Sequence, residues 1–144
     1  MRVDSIFCLV MFLLIAPASQ AAAIHDAAKK GDVAALTAAL DSGVDINASD
    51  GIATPLYYAI DRVHLEAAKM LIGRGADANA AAKWGPPLLA AAESGKPELV
   101  KLLLDAGADA AVVFKGQTAL HAVARNGCLD CVVALVEKGA DVNA

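Results

Sequence analysis

The sequence predicts an all-α fold, a solenoid of stacked helix-turn-helix units with short hairpin-like fingers between them. Three observations carry this. Gly43, Gly75, Gly107 and Gly139 recur every 32 residues, each followed two places on by Asp45, Asp77, Asp109 or Asp141. Ile24, Leu56, Leu88 and Leu120 form a second column at the same spacing, and Leu40, Ile72, Leu104 and Val136 a third. A period of about 20 to 50 residues marks units that each bury a face against their neighbours. Alanine supplies 34 of the 144 residues, while aromatics make up only 4%. Ala is the strongest helix former, so small side chains in closely packed helices are expected.

Ahead of the array, Met1 to Ala23 has the order of an export signal. Arg2 and the amino terminus supply positive charge, slightly weakened by Asp4. Ile6 to Ala16 is an unbroken apolar run of 11 residues, and Pro17 precedes the small residues Ala18, Ser19, Ala21, Ala22 and Ala23. That arrangement predicts a signal peptide at residues 1–21, cut after Ala21 or after Ala23. An uncleaved anchor is the alternative, because no charge occurs between Asp4 and Asp26. A spanning helix needs about 20 predominantly apolar residues, however, and Pro17, Ser19 and Gln20 interrupt this stretch. Cys8 lies inside the apolar run, not after it, where a lipid-accepting cysteine would stand. The mature chain is expected to be exported, periplasmic or secreted, with no membrane contact once the signal is removed. Its remaining cysteines then meet an oxidising compartment.

The units follow at about 22–50, 51–82, 83–113 and 114–144. In the second, Thr54 can cap a helix start with Pro55 at the first position, and Leu56, Ala59 and Ile60 share one face. In the third, Gly95 breaks the chain and Pro97 starts a second helix striped by Leu99, Val100, Leu103 and Leu104. Gly107 ends that helix, since a left-handed C-terminal turn favours glycine. The polar tract after each such glycine, Asp-x-Asn in three of the four units, is a turn leading to the next helix start. Gly31, Gly95 and Gly127 form a further column in which Val63 fills the second slot. Either Val63 is strained there or the second unit turns differently.

Thr54-Pro55-Leu56-Tyr57, Thr118-Ala119-Leu120-His121, Gly127-Cys128-Leu129-Asp130 and Gly139-Ala140-Asp141-Val142-Asn143-Ala144 resemble the ankyrin repeat. The resemblance covers residues 22–144. It implies paired antiparallel helices and a protein-binding role, with His25 and His121, which share a column, tying neighbouring units by hydrogen bonds. The family's period is 33, so fingers one residue shorter are expected here. Other departures are Pro86 at a capping Thr position, Val63 at a turning Gly, and Ala111 where Asn47, Asn79 and Asn143 stand.

Catalytic chemistry finds little support. The chain carries 12 Lys+Arg against 16 Asp+Glu, a net charge of −4, with no basic run, which argues against a nucleic-acid binder. His25, His64 and His121 are scattered over separate units, so no metal or catalytic set converges. No serine lies in a nucleophile-elbow pattern, no glycine-rich phosphate loop occurs, and no cofactor is expected. Cys128-x-x-Cys131 is the one redox pattern. Thioredoxin-like chemistry wants a βαβ context that helical repeats lack. Cys131 aligns with Ala35, Ala67 and Leu99 and reads as a buried small hydrophobe, while Cys128 aligns with polar residues. Residues three apart on a helix are close enough for a disulfide, and both the bonded and the free states remain open.

In stacked repeats of this resemblance, the finger tips and first helices are expected to line a concave surface. The candidates there are Ile52, Ala53, Asp61, Arg62, Lys83, Trp84, Glu93, Ser94, Phe114, Lys115, Arg125 and Asn126. Trp84 and Phe114 either anchor an interface, as large aromatics do, or fold back as local core. The outward column of the second helices runs Thr37, Lys69, Lys101 and then Val133. Val133 with Val136 is therefore expected to form an exposed patch on the fourth unit, contacting a partner or a second copy. The function expected is a non-catalytic, exported protein-binding adaptor. An exported thiol-disulfide protein using Cys128 and Cys131, or a secreted effector, is the alternative.

Overall fold

A computed structural model describes residues 17–144. Among these, eight helices run in chain order: α1 Pro17–Lys30, α2 Val33–Asp41, α3 Pro55–Asp61, α4 Leu65–Gly73, α5 Pro87–Ser94, α6 Pro97–Asp105, α7 Ala119–Asn126 and α8 Leu129–Glu137. A two-stranded antiparallel hairpin, β1 Val113–Phe114 and β2 Gln117–Thr118, precedes α7. The helices pair within each unit, and each row stacks on its own kind: α1 on α3, α5 and α7 in sequence, and α2 on α4, α6 and α8. The fold is the all-α solenoid that the period predicts.

The core is the set of repeated columns. Ile24, Leu56 and Leu88 are buried between successive first helices, and Leu71, Leu103 and Leu135 lie at the centre of the second row. Alanines fill the positions where helices approach most closely, with Ala28, Ala59, Ala68, Ala91 and Ala92 fully buried. Burying one Leu or Ile is worth about 1.5–3 kcal/mol, so each unit's face is held by a few such side chains against its neighbours.

Local signals fix the helix ends. Thr54 Oγ1 accepts from the Tyr57 amide at 3.3 Å, with Pro55 at the first position. Thr118 and His121 form a capping box at α7. Pro86 stands at the matching place before α5 and caps nothing. Gly31, Gly95 and Gly127 take left-handed turns at φ 69°, 66° and 67°, and Val63 takes the same turn at φ 62°. The second unit has not rebuilt its turn: a β-branched residue sits in the region that glycine favours. At Gly31 the reason for glycine is double, because a Cβ would come within 2.6 Å of the His64 ring.

The fingers differ. In the fourth unit Lys115 and Gly116, at φ 50° and 77°, make a two-residue hairpin turn. The third has a single bridge between Ala82 and Gly85. The second has no strand, and Asp50 holds it instead, Oδ1 accepting from the Ile52 and Ala53 amides at 3.0 Å each.

Hydrogen bonds between units follow a ladder. Asn47 Oδ1 accepts from the Asp77 amide at 2.8 Å, and Asn79 Oδ1 from the Asp109 amide at 2.9 Å. Asn79 Nδ2 also donates to the Gly107 carbonyl at 3.0 Å. Ala111 occupies the third slot and has no polar side-chain group to extend the ladder. The histidines divide the tying role differently from the expectation. His25 Nε2 lies 2.8 Å from the Ala48 carbonyl, linking α1 to the following finger, and His64 Nε2 lies 3.1 Å from the Lys29 carbonyl of the first unit. His121 instead stays within its own capping box, because Thr118 beside it offers both an amide and a hydroxyl.

The expected export signal falls mainly on residues 1–16, outside the described residues. Ala21 and Ala23 lie within α1, which runs continuously from Pro17.

Candidate functional site

The sequence places its candidate contacts on the fingers and first helices, and the structure brings the fingers side by side. The Lys83 amide donates to the Ile52 carbonyl at 2.8 Å, which joins the second and third fingers through their backbones. The Phe114 ring lies over Gly85, 3.0 Å from where a Cβ would be, which joins the third and fourth. Gly85 at φ 119° is needed both for its backbone and for this close approach. Phe114 is thereby half-buried and packed against the core, with Lys115 Nζ 5.1 Å from its centroid. It serves as local core.

Three apolar side chains remain outward along this row of fingers: Ile52, Trp84 and Val113, at 38%, 53% and 61% exposure. Trp84 stacks one face on Tyr57, with centroids 6.1 Å apart and planes 27° from parallel, and offers the rest to solvent. Tyr57 is itself buried and meets Tyr58 edge-on at 6.4 Å. The Tyr57 ring thus supports one face of the indole, and a side chain already supported needs less ordering on binding. Val113 was not among the sequence candidates. In a two-residue strand one side chain points in and the next out, so a single-residue register decides that Phe114 is covered and Val113 is not.

Charges frame this row. Lys83 and Lys115 are exposed beside it. On the first helices, Arg62 lies 3.5 Å from Asp61, and Arg125 lies 3.8 Å from Glu93 on the neighbouring unit. These are exposed pairs of small energetic weight, free to exchange partners. Asn126 is engaged internally. Its Nδ2 donates to the Ala92 and Glu93 carbonyls at 3.0 and 2.8 Å, closing the end of α5 from the next unit. Ala53 is buried, and the Ser94 hydroxyl donates to the Ala91 carbonyl at 2.6 Å, so neither presents a contact. Asn126 looked like a contact because nothing local announces its bond to carbonyls of another unit, whereas Ser94 bonds back into its own helix and Ala53 is simply covered.

Behind the row, Asp50 and Tyr58 form a fixed polar pair. Partial burial alone would raise the Asp50 carboxyl, but the Ala53 amide, the Tyr58 hydroxyl and the Ile52 amide outweigh it and hold the pKa down to about 2. Tyr58 is pushed up to about 12, by burial first and then by its bond to Asp50. Tyr57 is raised by burial and by the charges of Asp61 and Glu93. Lys29 Nζ lies 4.3 Å from the Tyr58 centroid and 4.0 Å from Asp50 Oδ2.

Away from this surface, Cys128 and Cys131 are joined in a disulfide across the first turn of α8, with Cα atoms 5.3 Å apart. Cys131 is fully buried and Cys128 partly exposed. Val133, at 55% exposure, lies on the outer side of α8 together with the exposed Leu129 and Val136. Among the described residues, no group of three or more His, Cys, Asp or Glu is placed to hold a metal, and no helix is long and apolar enough to cross a membrane.

Comparison with known proteins matches this architecture. Residues 74–144 match the family described as ankyrin repeats (3 copies), and residues 24–72 match ankyrin repeats (many copies). A stretch of 53 residues is 45% identical to acyl-CoA-binding domain-containing protein 2 of Arabidopsis thaliana, covering 36% of this chain and 15% of that protein. A 53-residue stretch is likewise 42% identical to acyl-CoA-binding domain-containing protein 1 of the same plant, covering 36% of this chain and 16% of that one. The chain thus matches only about one sixth of the length of these curated relatives.

Proposed function

The chain belongs to the ankyrin-repeat proteins, and from that premise we propose that it is an exported, non-catalytic adaptor whose fingers and concave helix face bind a protein partner. Ankyrin repeats generally mediate protein–protein interaction. The observation that carries the finer reading is the row of Ile52, Trp84 and Val113 on adjoining fingers, with Trp84 held against Tyr57. A supported aromatic in a partly apolar patch rimmed by charge has the anatomy of an interface centre. Export is supported by the order of charge, apolar run, Pro17 and small residues in Met1 to Ala23.

Affinity capture with the mature protein, read by mass spectrometry, tests this. A partner retained by the wild type and lost by Trp84→Ala, with Lys101→Ala unaffected, supports the reading. Equal capture by both variants contradicts it.

The Cys128–Cys131 bond favours a second reading, an exported thiol-disulfide protein. That reading requires turnover in a reductase assay and its loss in the Cys128→Ser, Cys131→Ser double variant. The adaptor reading predicts no turnover and undiminished partner affinity in that variant.

A further inference from the structure

The row of Ile52, Trp84 and Val113 is one continuous surface and not three separate loops. The Lys83 amide joins the second finger to the third, and the Phe114 ring over Gly85 joins the third to the fourth. Ser49, Gly51, Ala81 and Gly116 are exposed beside it and short. Stacked helices lie about 8–10 Å apart, so the second to fourth fingers span about 16–20 Å. An extended chain crosses that distance in about six residues.

Charge on this surface runs against that of the whole chain. The chain carries a net −4, yet Lys83 is the charged residue between Ala80 and Pro86, and Lys115 the charged residue between Val112 and Thr118. Both are exposed. Among the described residues, neither ammonium has a carboxylate within ion-pair distance, whereas Arg62, Lys69, Arg74, Arg125 and Lys138 each do. The acid of the second finger, Asp50, is already engaged. Its carboxylate accepts from the Ile52 and Ala53 amides and the Tyr58 hydroxyl, and Lys29 Nζ lies 4.0 Å away. The fingers therefore present two unpaired cations beside their apolar row and no unengaged anion.

We propose that the row takes an extended, acidic segment of a partner protein, with an apolar or aromatic side chain against Trp84 and carboxylates at Lys83 and Lys115. This rests on the adaptor reading and adds to it the chemistry of the partner. Trp84, backed by Tyr57, supplies the aromatic surface in the middle of the row, and anchors of this kind carry much of an interface's energy. The two ammoniums set the sign, because a basic segment would meet like charge at both. Charges more than about 8 Å away are largely screened at physiological ionic strength, so the lysines outweigh the distant acids of the rest of the chain.

The test is fluorescence anisotropy of the purified protein with two labelled, end-capped peptides, Asp-Asp-Phe-Phe repeated twice and Lys-Lys-Phe-Phe repeated twice. In an extended chain each face of these peptides carries both charge and phenyl rings. Wild type should bind the acidic peptide about tenfold tighter than the basic one. Lys83→Glu with Lys115→Glu should abolish or invert that preference. Lys115 stands at φ 50°, so Lys115→Asn, which tolerates a left-handed backbone, replaces Lys115→Glu should the latter fail to fold. Lys96→Glu with Lys101→Glu makes the same charge change on exposed, unpaired lysines of α6, away from the row, and should leave the preference intact. Equal binding of the two peptides, tighter binding of the basic one, binding of neither, or the same loss in both double variants overturns the proposal. Phosphatidylserine vesicles are run alongside. Retention on them through Lys83 and Lys115, with the acidic peptide unbound, assigns the row to a membrane surface and also overturns it. The adaptor reading fails separately, when Trp84→Ala retains the captured partner.

Discussion

The Tyr58 hydroxyl donates to Asp50 Oδ2 at 2.8 Å, so the first helix of the second unit holds the finger that precedes it. The other oxygen of Asp50 takes the Ile52 and Ala53 amides. One carboxylate thus does for the second finger what strand pairing does for the fourth, and it sets the position of Ile52 in the contact row.

This pair makes stability depend on pH at both ends. Asp50 has a folded pKa of about 2, below its ordinary 3.8, so its contribution is present above 3.8 and fades as pH falls towards 2. Asp50→Asn should be less stable than wild type near neutrality, and the difference should shrink through that acid window. Tyr58, raised to about 12, contributes fully below pH 10 and loses its contribution as pH rises through 12. Absorbance titration of the phenols should show Tyr58 still protonated at pH 10 in the folded protein, with Tyr57 titrating above its ordinary value. Ordinary titration of both would refute the assignment.

Val63 carries a left-handed backbone at φ 62° with its side chain exposed. That conformation costs an L-residue about 1–2 kcal/mol, and glycine's extra unfolded-state freedom offsets part. Val63→Gly should stabilise by about 1 kcal/mol, seen as a raised thermal midpoint. A clear fall would mean that contacts of the valine outweigh its backbone cost.

Ala111 interrupts the asparagine ladder while keeping the local turn, its amide donating to Asp109 Oδ1 at 2.9 Å. Ala111→Asn should supply an acceptor for the Asp141 amide and stabilise by about 0.5–1 kcal/mol, the lower part of the hydrogen-bond range because the site is exposed. Asn79→Ala, which removes two bonds between units, should cost about 1–2 kcal/mol. Urea midpoints at unchanged slope would read both effects.

Export is checked by intact mass of the protein recovered outside the cytoplasm. An amino terminus at Ala22 or Ile24 is expected, and a full-length mass with membrane retention would favour the anchor. Either cut falls inside α1, and cleavage after Ala21 detaches the carbonyl that meets His25 Nδ1. His25 then keeps its bond to Ala48.

The helix pairs, the buried columns and the caps at Thr54 and Thr118 were legible in the sequence because each rests on local chemistry repeated every 32 residues. The register of Gly31, Gly95 and Gly127 narrowed Val63 to two outcomes, a strained turn or a rebuilt one, and its φ of 62° is the strained one. What stayed hidden were bonds from a side chain to a distant backbone group. Asn126 looked like a contact residue because the Ala92 and Glu93 carbonyls it binds have no signature in residue type. His64 reached the Lys29 carbonyl by the same unmarked route, and the bond between the Tyr58 and Asp50 side chains was equally without a local signature. Val113 was missed and Phe114 left undecided for a different reason. Strands of two residues give alternation too little length to show which face is covered.

The central claim is that the fingers, not the outer helices, meet the partner. A photoreactive amino acid placed singly at positions 52, 83 and 113, or on the outer helices at 69 and 101, reads this in expressing cells. The account predicts adducts of one common added mass from the finger positions and none from 69 or 101. Adducts confined to the outer positions, with the fingers silent, would contradict it.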